Sequence, residues 1–268
     1  SKIEDPKQDT AVLVRASKFG TQSHQHADQG NFAIISCGKG LISPSGYWGR
    51  GGGTIHSLEW TRQTRAHNCI LVNGEGQIAK SIFTRGRIDY LKEEGDYAHT
   101  KLYLDEAYPQ LISYTREIFF FRPGLILVYD DMKSSEEVAI SWLAHTLSGP
   151  KVDGERINVV REPAELSFNV FTDPAEQLDF EWTDQFAVDV NEGEPEAYHR
   201  IHPNQFHLRW TAPQRAARRF LAVITVNETT ADVCWEGSNC KVGFKEFETA
   251  FNLDPDGNGK VVLNGKQI

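Results

Sequence analysis

Short apolar stretches separated by turn residues run along most of the chain. Each stretch is rich in Val, Ile, Phe and Tyr, and Gly, Pro, Asn or Asp stands between one stretch and the next. β-branched and aromatic side chains fit the pleated surface of a strand, so this pattern predicts strands, while helical periodicity is scarce. The predicted strands are residues 11–15, 32–36, 69–72, 101–104, 113–121, 125–130, 138–144, 165–171, 205–211 and 220–226.

Two turn sequences predict antiparallel hairpins. Pro123-Gly124 stands between the apolar runs 118–121 and 125–128, and an Asn-Gly pair lies within residues 261–266. Both dipeptides are typical of tight turns. Many evenly spaced strands with few helices predict an all-β fold, a large antiparallel β-sandwich of the supersandwich type.

Composition and charge narrow the class of protein. The chain has 268 residues, 40% of them hydrophobic and 24% charged, which is typical of a folded globular protein. No shift in composition divides it, so we expect a single domain over residues 1–268. The net charge of −9 argues against nucleic acid as a partner. No apolar window approaches the roughly 18 residues of a membrane-spanning helix, which argues against a membrane.

The charge is unevenly distributed along the chain. Residues 1–92 carry a balance of +5, whereas the remaining 176 residues carry −14. A basic segment on an acidic body is compatible with binding an acidic glycan while the rest of the surface keeps the protein in solution.

The four cysteines leave two interpretations open. Cys37 and Cys69 lie in or beside apolar strand-like runs and are expected to be buried thiols. Cys234 and Cys240 could close a short hairpin in an oxidising compartment, or all four could be free thiols. No Cys-x-x-Cys pair occurs, which argues against a cysteine zinc site.

Histidines are concentrated near the N-terminus. His24 and His26 are two residues apart, so in an extended segment both rings project from the same face. Asp28 and Gln29 follow them, and such groups fix imidazole tautomers. His67 directly precedes a predicted buried strand, where a side chain can reach a cleft. The other histidines after this region are interpreted as satisfied structural groups: His99, His145, His199, His202 and His207.

Four arginines form a basic set around His67. Guanidinium groups suit carboxylate and sulfate recognition, and solvated surface arginines are the alternative interpretation. The set consists of Arg62, Arg65, Arg85 and Arg87.

Several motifs within residues 12–77 resemble a known family. These motifs are His-Gln-His-Ala-Asp-Gln at 24–29, Ser-Gly-Tyr at 45–47, Trp-Thr-Arg-Gln-Thr-Arg-Ala-His-Asn at 60–68 and Gly-Glu-Gly-Gln at 74–77. They are similar to the β-sandwich part of the heparinase II/III-like polysaccharide lyases. The resemblance implies an upstream (α/α) toroid domain, a periplasmic or secreted location, and β-elimination on uronic-acid polysaccharides such as alginate or glycosaminoglycans. It also implies that the chain is part of a longer enzyme.

The resemblance assigns roles to individual residues. His24 matches the histidine of the catalytic cleft. The family's catalytic tyrosine lies on the toroid, and Tyr47 is the best tyrosine within this chain for proton transfer, with packing or sugar stacking as its alternative. The implied substrate-binding residues are Arg62, Arg65, Gln29 and Trp48.

A metal site is the second implication of the resemblance. His26 and His67 match two ligands of a metal ion, usually zinc, that braces the sandwich beside the cleft. In several relatives an Asp before the Ser-Gly-Tyr turn is the third ligand, and here Pro44 holds that position. Asp28 or His56 could replace it, and a metal-free hydrogen-bonded cluster is the alternative.

Three functions follow from these observations. The first is a polysaccharide lyase module that acts on an anionic uronate polysaccharide. The second is a non-catalytic carbohydrate-binding or structural sandwich that accompanies a separate catalytic toroid. The third, a metal-dependent hydrolase, needs an open three-ligand site that the sequence does not complete.

Overall fold

The structure is a computed structural model and consists almost entirely of antiparallel strands. The residues it describes are 9–46, 52–172, 176–199, 201–227, 231–236, 239–244, 247–252, 261–263 and 266–267.

Three sheets form in this part of the chain, and the first has three strands in the order β1-β2-β3. The bounds are β1 (Thr10–Val14), β2 (Phe32–Ser36) and β3 (Lys39–Ile42).

The second sheet has ten strands and forms the centre of the fold. Its order is β5-β6-β7-β8-β13-β11-β10-β9, with β4 beside β8 and β12 beside β13. The bounds are β4 (Ile70–Val72), β5 (Arg87–Glu94), β6 (Tyr97–Tyr103), β7 (Leu111–Phe121), β8 (Leu125–Thr146), β9 (Lys151–Asp153), β10 (Arg156–Arg161), β11 (Ala164–Phe171), β12 (Asp179–Thr183) and β13 (Phe206–Val226).

The third sheet lies at the C-terminus and has five strands in chain order. The bounds are β14 (Asp232–Glu236), β15 (Asn239–Phe244), β16 (Phe247–Asn252), β17 (Val261–Leu263) and β18 (Lys266–Gln267). Helical structure in the described residues is limited to short turns: a π-helical turn, Ser57–Thr61, and 3-10 turns at Thr64–Ala66, Asp105–Ala107 and Glu196–Tyr198. The prediction of an all-β antiparallel sandwich is confirmed.

Every predicted strand lies in or largely within an observed strand, but four predicted strands merge into two. The runs 125–130 and 138–144 both belong to β8, and 205–211 and 220–226 both belong to β13. Polar residues separate the apolar halves of each long strand. The pairing of β8 with β13 shifts register between Ala212 and Ala217, so a β-bulge lies there. A bulge is where a strand tolerates proline, because ladder hydrogen bonds are locally missing, and Pro213 lies in this one.

Both faces of the central sheet are buried, each against a different sheet. On one face Ile118, Ile126 and Val128 join the core that includes the first sheet, whereas Phe119 and Leu127 face the C-terminal sheet. Successive side chains of a strand point to opposite faces, so burial on both sides requires an unbroken apolar run. This explains the sequence around the Pro-Gly turn, whose hairpin is confirmed as β7–β8.

The C-terminal sheet shows whether Cys234 and Cys240 form a disulfide across the β14–β15 hairpin. In the β14–β15 hairpin Cys234 pairs with Lys241, and Cys240 pairs with Trp235. Adjacent strand positions alternate in direction, so the two thiols lie on opposite faces: Cys234 is exposed and Cys240 is buried. All four cysteines of the chain are free thiols, as one of the two interpretations held.

Candidate functional site

The histidine loop, residues 23–31, leads into β2 from β1 and is held at its first residue by Arg62. Ser23 has a left-handed backbone (φ 54°), and its carbonyl accepts a hydrogen bond of 2.9 Å from Arg62 Nη1. Arg62 Nη2 donates to the carbonyl of Gly52 at 3.1 Å. The ring of His24 is exposed and lies beside Gly52, with its Nδ1 3.8 Å from the position of a Cβ at that glycine. Arg62 therefore fixes the backbone from which His24 projects.

His26, two residues after His24, forms a close pair with His67. Nδ1 of His26 lies 3.2 Å from Nε2 of His67, and that same Nε2 is 3.0 Å from the carbonyl of Thr61. A carbonyl can only accept, so Nε2 of His67 carries the proton in this arrangement. The other ring nitrogen, Nδ1, is a buried lone pair for which the described residues supply no hydrogen bond.

Burial sets the charge of these groups. It lowers the pKa of His26 to about 4, with Arg62 and Arg15 acting in the same direction, and it lowers the pKa of His67 to about 3. Burial also raises the pKa of Asp28 to about 6, although Arg15 opposes this through an ion pair. Asp28 Oδ2 is 4.0 Å from Nδ1 of His67. Both histidines are thus neutral at pH 7, the state in which imidazole binds a metal.

Gln29, a predicted substrate-binding residue, lies inside the fold with its side-chain amide bonded to protein groups. It has no exposed surface, its Oε1 accepts from Ser17 N at 2.8 Å, and its Nε2 donates to Thr84 O at 3.1 Å. Gln77 completes the arrangement, since its Oε1 accepts from Gln29 N and its Nε2 donates to Gln29 O. Gln29 braces the histidine loop against two neighbouring segments.

A buried ion pair anchors the same loop to the central sheet. Arg116 and Asp130 have no exposed surface, and Arg116 donates to both carboxylate oxygens, at 2.7 and 2.9 Å. Its Nη1 also donates to the carbonyls of Gly30, at 2.7 Å, and Asn68, at 2.8 Å. These two carbonyls belong to the histidine loop and to the residue after His67. One guanidinium therefore holds both segments that carry the histidine pair.

The four predicted arginines do not act as one set. Arg65 donates to the carbonyl of Glu59 and stacks over the ring of Trp60 at 5.5 Å, beside the histidines. Arg85 and Arg87 instead line a separate groove of about 330 Å³ with Lys18, Tyr103, Asp105 and Glu106. This basic set is corrected to Arg62 and Arg65.

A second group of histidines adjoins the site, and sequence reasoning missed it. His145 and His207 face each other across the β8–β13 pairing, with ring centroids 5.3 Å apart, and Trp60 packs against His207 at 4.9 Å. His145 Nε2 is 3.0 Å from Arg65 O, and His56 Nδ1 is 2.7 Å from the carbonyl of Val188. His56 is thus engaged away from the His26–His67 pair. No sequence signal brings these residues together, because their proximity depends on strand register.

The turn that leads to Tyr47 begins inside this group. Gln205 Oε1 accepts from Ser45 Oγ at 2.8 Å and from Gly46 N at 2.7 Å, and Trp60 Nε1 donates to Ser45 Oγ at 2.8 Å. The predicted catalytic Tyr47 and substrate-binding Trp48 lie outside the described residues.

The donors for a metal ion are the histidine pair and its neighbours. Zinc binds imidazole nitrogens at about 2.0–2.1 Å, so two tetrahedral ligands are about 3.3 Å apart. The 3.2 Å between His26 Nδ1 and His67 Nε2 fits that spacing. Within the described ranges no group of three or more His, Cys, Asp or Glu side chains gathers around them. Pro44 supplies no carboxylate, and the nearest further oxygen to His67 Nε2 is the Thr61 carbonyl, which accepts its hydrogen bond.

Fold and site together define an all-β sandwich in which the connection between β1 and β2 carries the exposed His24 and the part-buried His26, which contacts the buried His67. The chain matches the family described as "Heparinase II/III-like, C-terminal" over residues 3–236 and belongs to this family. A search of curated proteins gives no match.

Solved structures agree with the fold. Heparan sulfate lyase HepC from Pedobacter heparinus is similar at 14% identity and a TM-score of 0.65, covering 97% of this chain and 40% of its own. A mutant of that lyase is similar at 15% identity and a TM-score of 0.67, and the match covers 97% of this chain and 38% of its own. A heparinase III gene product is similar at 16% identity and a TM-score of 0.65, and the match covers 97% of this chain and 38% of its own. The chain therefore spans about two fifths of the length of these structures. Within the described part of the chain, no helix has the length and apolar character of a membrane span.

Proposed function

We propose that the chain is the β-sandwich module of a polysaccharide lyase that cleaves an anionic, uronic-acid-containing polysaccharide by β-elimination. The observation that carries the proposal is the placement of His24. It is exposed, its backbone is fixed by Arg62, and His26, which pairs with the buried His67, follows two residues later. The similarity to heparan sulfate lyases supports this assignment.

The chemistry explains the residue types. A base removes the proton from C5 of the uronate, the electron pair forms the C4–C5 double bond, and the C4–O bond breaks, with the leaving oxygen receiving a proton. C5–H is a weak acid unless the adjacent carboxylate is neutralised by cationic or hydrogen-bonding groups. His24 supplies a ring N–H for the carboxylate or a ring nitrogen for the proton, and Arg62 holds it in position. Tyr47 follows directly after the Ser45–Gly46 turn and is the proposed partner in proton transfer.

Zinc is part of the proposal: His26 Nδ1, His67 Nε2 and the Thr61 carbonyl would hold it once the His67 proton has moved from Nε2 to Nδ1, which lies 4.0 Å from Asp28 Oδ2. When bound, the ion would stabilise the site by cross-linking the histidine loop to the segment before β4. The neutral state of both rings at pH 7 suits this role. The metal-free alternative is the hydrogen-bonded pair as it stands.

Catalysis by the whole protein requires more than the described site. The similar lyases are more than twice as long as the matched region, so we propose an additional, upstream toroid domain in the same polypeptide that completes the cleft. We also propose a periplasmic or secreted location, where the polymeric substrate is accessible.

The product provides the test of this function. The C4–C5 double bond is conjugated with the carboxylate and absorbs in the ultraviolet, so absorbance is followed with heparan sulfate, alginate and hyaluronan. The complete polypeptide should produce absorbance, and His24→Gln should reduce kcat by about 10²–10⁴-fold. The matched control is His199→Gln, since His199 is also exposed and donates only to a backbone carbonyl. Equal turnover in wild type and His24→Gln contradicts the role of His24.

A non-catalytic carbohydrate-binding module is the second candidate. It is favoured by the internal engagement of Gln29, Arg62 and Arg65, which leaves few free polar groups for chemistry. The same assay separates the two, because in this case His24→Gln changes oligosaccharide binding and leaves kcat unchanged.

A further inference from the structure

We propose that the groove beside residues 85–87 is a second binding site for an acidic polysaccharide, separate from the site at His24. The groove has a volume of about 330 Å³, a size found for ligand pockets. Its lining includes Lys18, Arg85, Arg87, Tyr103, Asp105 and Glu106. One acidic sugar residue occupies it, with the anionic group on the cations and the hydroxyls on the carboxylates. The class of polymer rests on the proposed function, whereas binding to the groove is measured without turnover.

Arg87 is held in place before any ligand binds. It is the cross-strand partner of Tyr103 in the β5–β6 pairing, and its guanidinium carbon lies 3.7 Å from the centre of the Tyr103 ring. Its Nη1 donates to Asp89 Oδ1 at 3.1 Å. The side chain is still 49% exposed, so a ligand can reach the guanidinium. A planar guanidinium fixed in this way suits a carboxylate or sulfate group, because it can donate two parallel hydrogen bonds.

Two further cations border the groove. Arg85 Nε donates to the carbonyl of Ile82 at 2.9 Å, which orients the guanidinium and leaves its terminal nitrogens for a ligand. The Glu106 carboxylate lies 4.0 Å from Arg85 Nη1, beyond hydrogen-bond distance. Lys18 is exposed on the neighbouring segment. Three cations from two segments therefore surround one opening, and all three belong to the basic first part of the chain.

Two carboxylates complete the lining and make it selective. Asp105 and Glu106 stand on the 3-10 turn that follows β6. They repel an inorganic anion or a nucleic acid, whereas they accept hydrogen bonds from the hydroxyl groups of a sugar. A neutral sugar would give the arginines no anion. An acidic sugar residue carries both kinds of group, so it is the ligand that matches the whole lining.

The floor of the groove lies against the residue that braces the histidine loop. Gly86 N donates to Ser17 O at 2.9 Å, and a Cβ at Gly86 would be 3.0 Å from Gln29 Oε1. Gln29 is five residues after His24, a distance of at most about 18 Å along the chain. A polysaccharide of several sugar residues can therefore occupy the groove and lie near His24 at the same time.

Calorimetry on the 268-residue chain measures binding, and ultraviolet absorbance of the same samples shows any turnover. The probes are octasaccharides of heparan sulfate and of alginate, the second of which carries carboxylates but no sulfate. Arg85→Gln with Arg87→Gln should weaken binding about tenfold or more, because charge-assisted hydrogen bonds are lost. The matched control, Arg122→Gln with Arg209→Gln, removes the same charge from two other exposed ion pairs and should change the dissociation constant less than about twofold.

A second double variant tests the carboxylates. Asp105→Ala with Glu106→Ala should strengthen the attraction for every anion, but it removes the acceptors for sugar hydroxyls. The affinity for the octasaccharide that binds, relative to the affinity for an oligodeoxythymidylate of equal charge, should therefore fall about tenfold. A groove that only attracts anions would leave this ratio unchanged.

The outcomes separate this proposal from its rivals. Binding of both octasaccharides identifies a carboxylate as the bound anion, and binding of heparan sulfate alone identifies a sulfate; either result supports the proposal. It is overturned if neither octasaccharide binds, if the arginine double variant binds as its control does, or if the ratio does not change. If the groove binds sugar but the complete polypeptide produces no ultraviolet absorbance, the second site stands and the proposed function fails. If absorbance develops but neither octasaccharide binds, the proposed function stands and the second site fails.

Discussion

Replacing Arg116 by methionine tests whether the buried ion pair stabilises the histidine loop as well as the sheet. The substitution leaves the Asp130 carboxylate without its cation, and it removes the donor from the carbonyls of Gly30 and Asn68. Breaking a buried pair costs about 3–5 kcal/mol, and each orphaned buried acceptor adds about 1–3 kcal/mol. Tyr114 and Trp142 still donate to Asp130, so we expect the free energy of unfolding to fall by about 5 kcal/mol in total.

A double variant separates the two contributions. Asp130→Asn added to Arg116→Met removes the unpaired charge, and its amide oxygen can accept from Trp142 Nε1 while its Nδ2 donates to the Tyr114 hydroxyl. The two carbonyls of the site segments remain without a donor, so stability should recover only in part, to about 2 kcal/mol below wild type.

Urea unfolding followed by tryptophan fluorescence measures these differences. The matched control is Arg87→Met, because Arg87 forms an exposed pair with Asp89 at 3.1 Å, and its loss should cost less than about 1 kcal/mol. Full recovery in the double variant would refute the reasoning, since the carbonyls would then contribute nothing. A loss below about 1 kcal/mol in Arg116→Met would refute it as well.

Three further predictions concern other parts of the molecule. Burial lowers the pKa of His207 to about 4, so the folded state keeps a neutral ring while the unfolded chain binds a proton below its ordinary value of 6.5. The contribution of the neutral ring to the free energy of unfolding is complete above pH 6.5 and is lost as the pH falls towards about 4. His207→Gln should therefore reduce the loss of unfolding free energy between about pH 7 and 4 by about 3 kcal/mol, measured by urea unfolding. An unchanged dependence of the unfolding free energy on pH contradicts this. Gln29→Met should lower the unfolding free energy by about 2 kcal/mol, because two side-chain hydrogen bonds are lost inside the fold, and a loss near zero would mean that the brace is not needed. A thiol reagent should modify Cys234 rapidly and Cys240 only after unfolding, since burial raises the pKa of Cys240 to about 12; equal rates would contradict the β14–β15 register.

The fold could be predicted from the sequence where burial leaves a clear pattern. The apolar runs on both sides of Pro123-Gly124 predicted a hairpin with both faces buried, and the structure confirms that hairpin. β5 was not predicted, because nearly all of its residues are exposed and its charged sequence lacks an apolar alternation. The fusion of strands into β8 and β13 was missed because polar residues interrupt the apolar pattern where the pairing is bulged.

The candidate site could be predicted only in part. The approach of His26 to His67 was implied by the family resemblance, whereas the contact of Arg62 with the backbone beside His24 was not predicted, since the sequence placed Arg62 in a basic set around His67. The buried position of Gln29 was not predicted, since a polar side chain in a motif can be wholly buried and used for bracing. Contacts such as His145 with His207 depend on strand register, which local sequence does not encode.

The C-terminal sheet has a practical consequence for where the chain can be cut. The family match ends at residue 236, the last residue of β14, whereas the partner of β14 begins at Asn239. β15 and β16 supply Val242, Phe244 and Phe251, which cover the outer face of the central sheet. A clone trimmed to the matched region would uncover that face as a broad apolar surface and aggregate. The segment that the family description covers is therefore shorter than the segment that buries both faces of the central sheet.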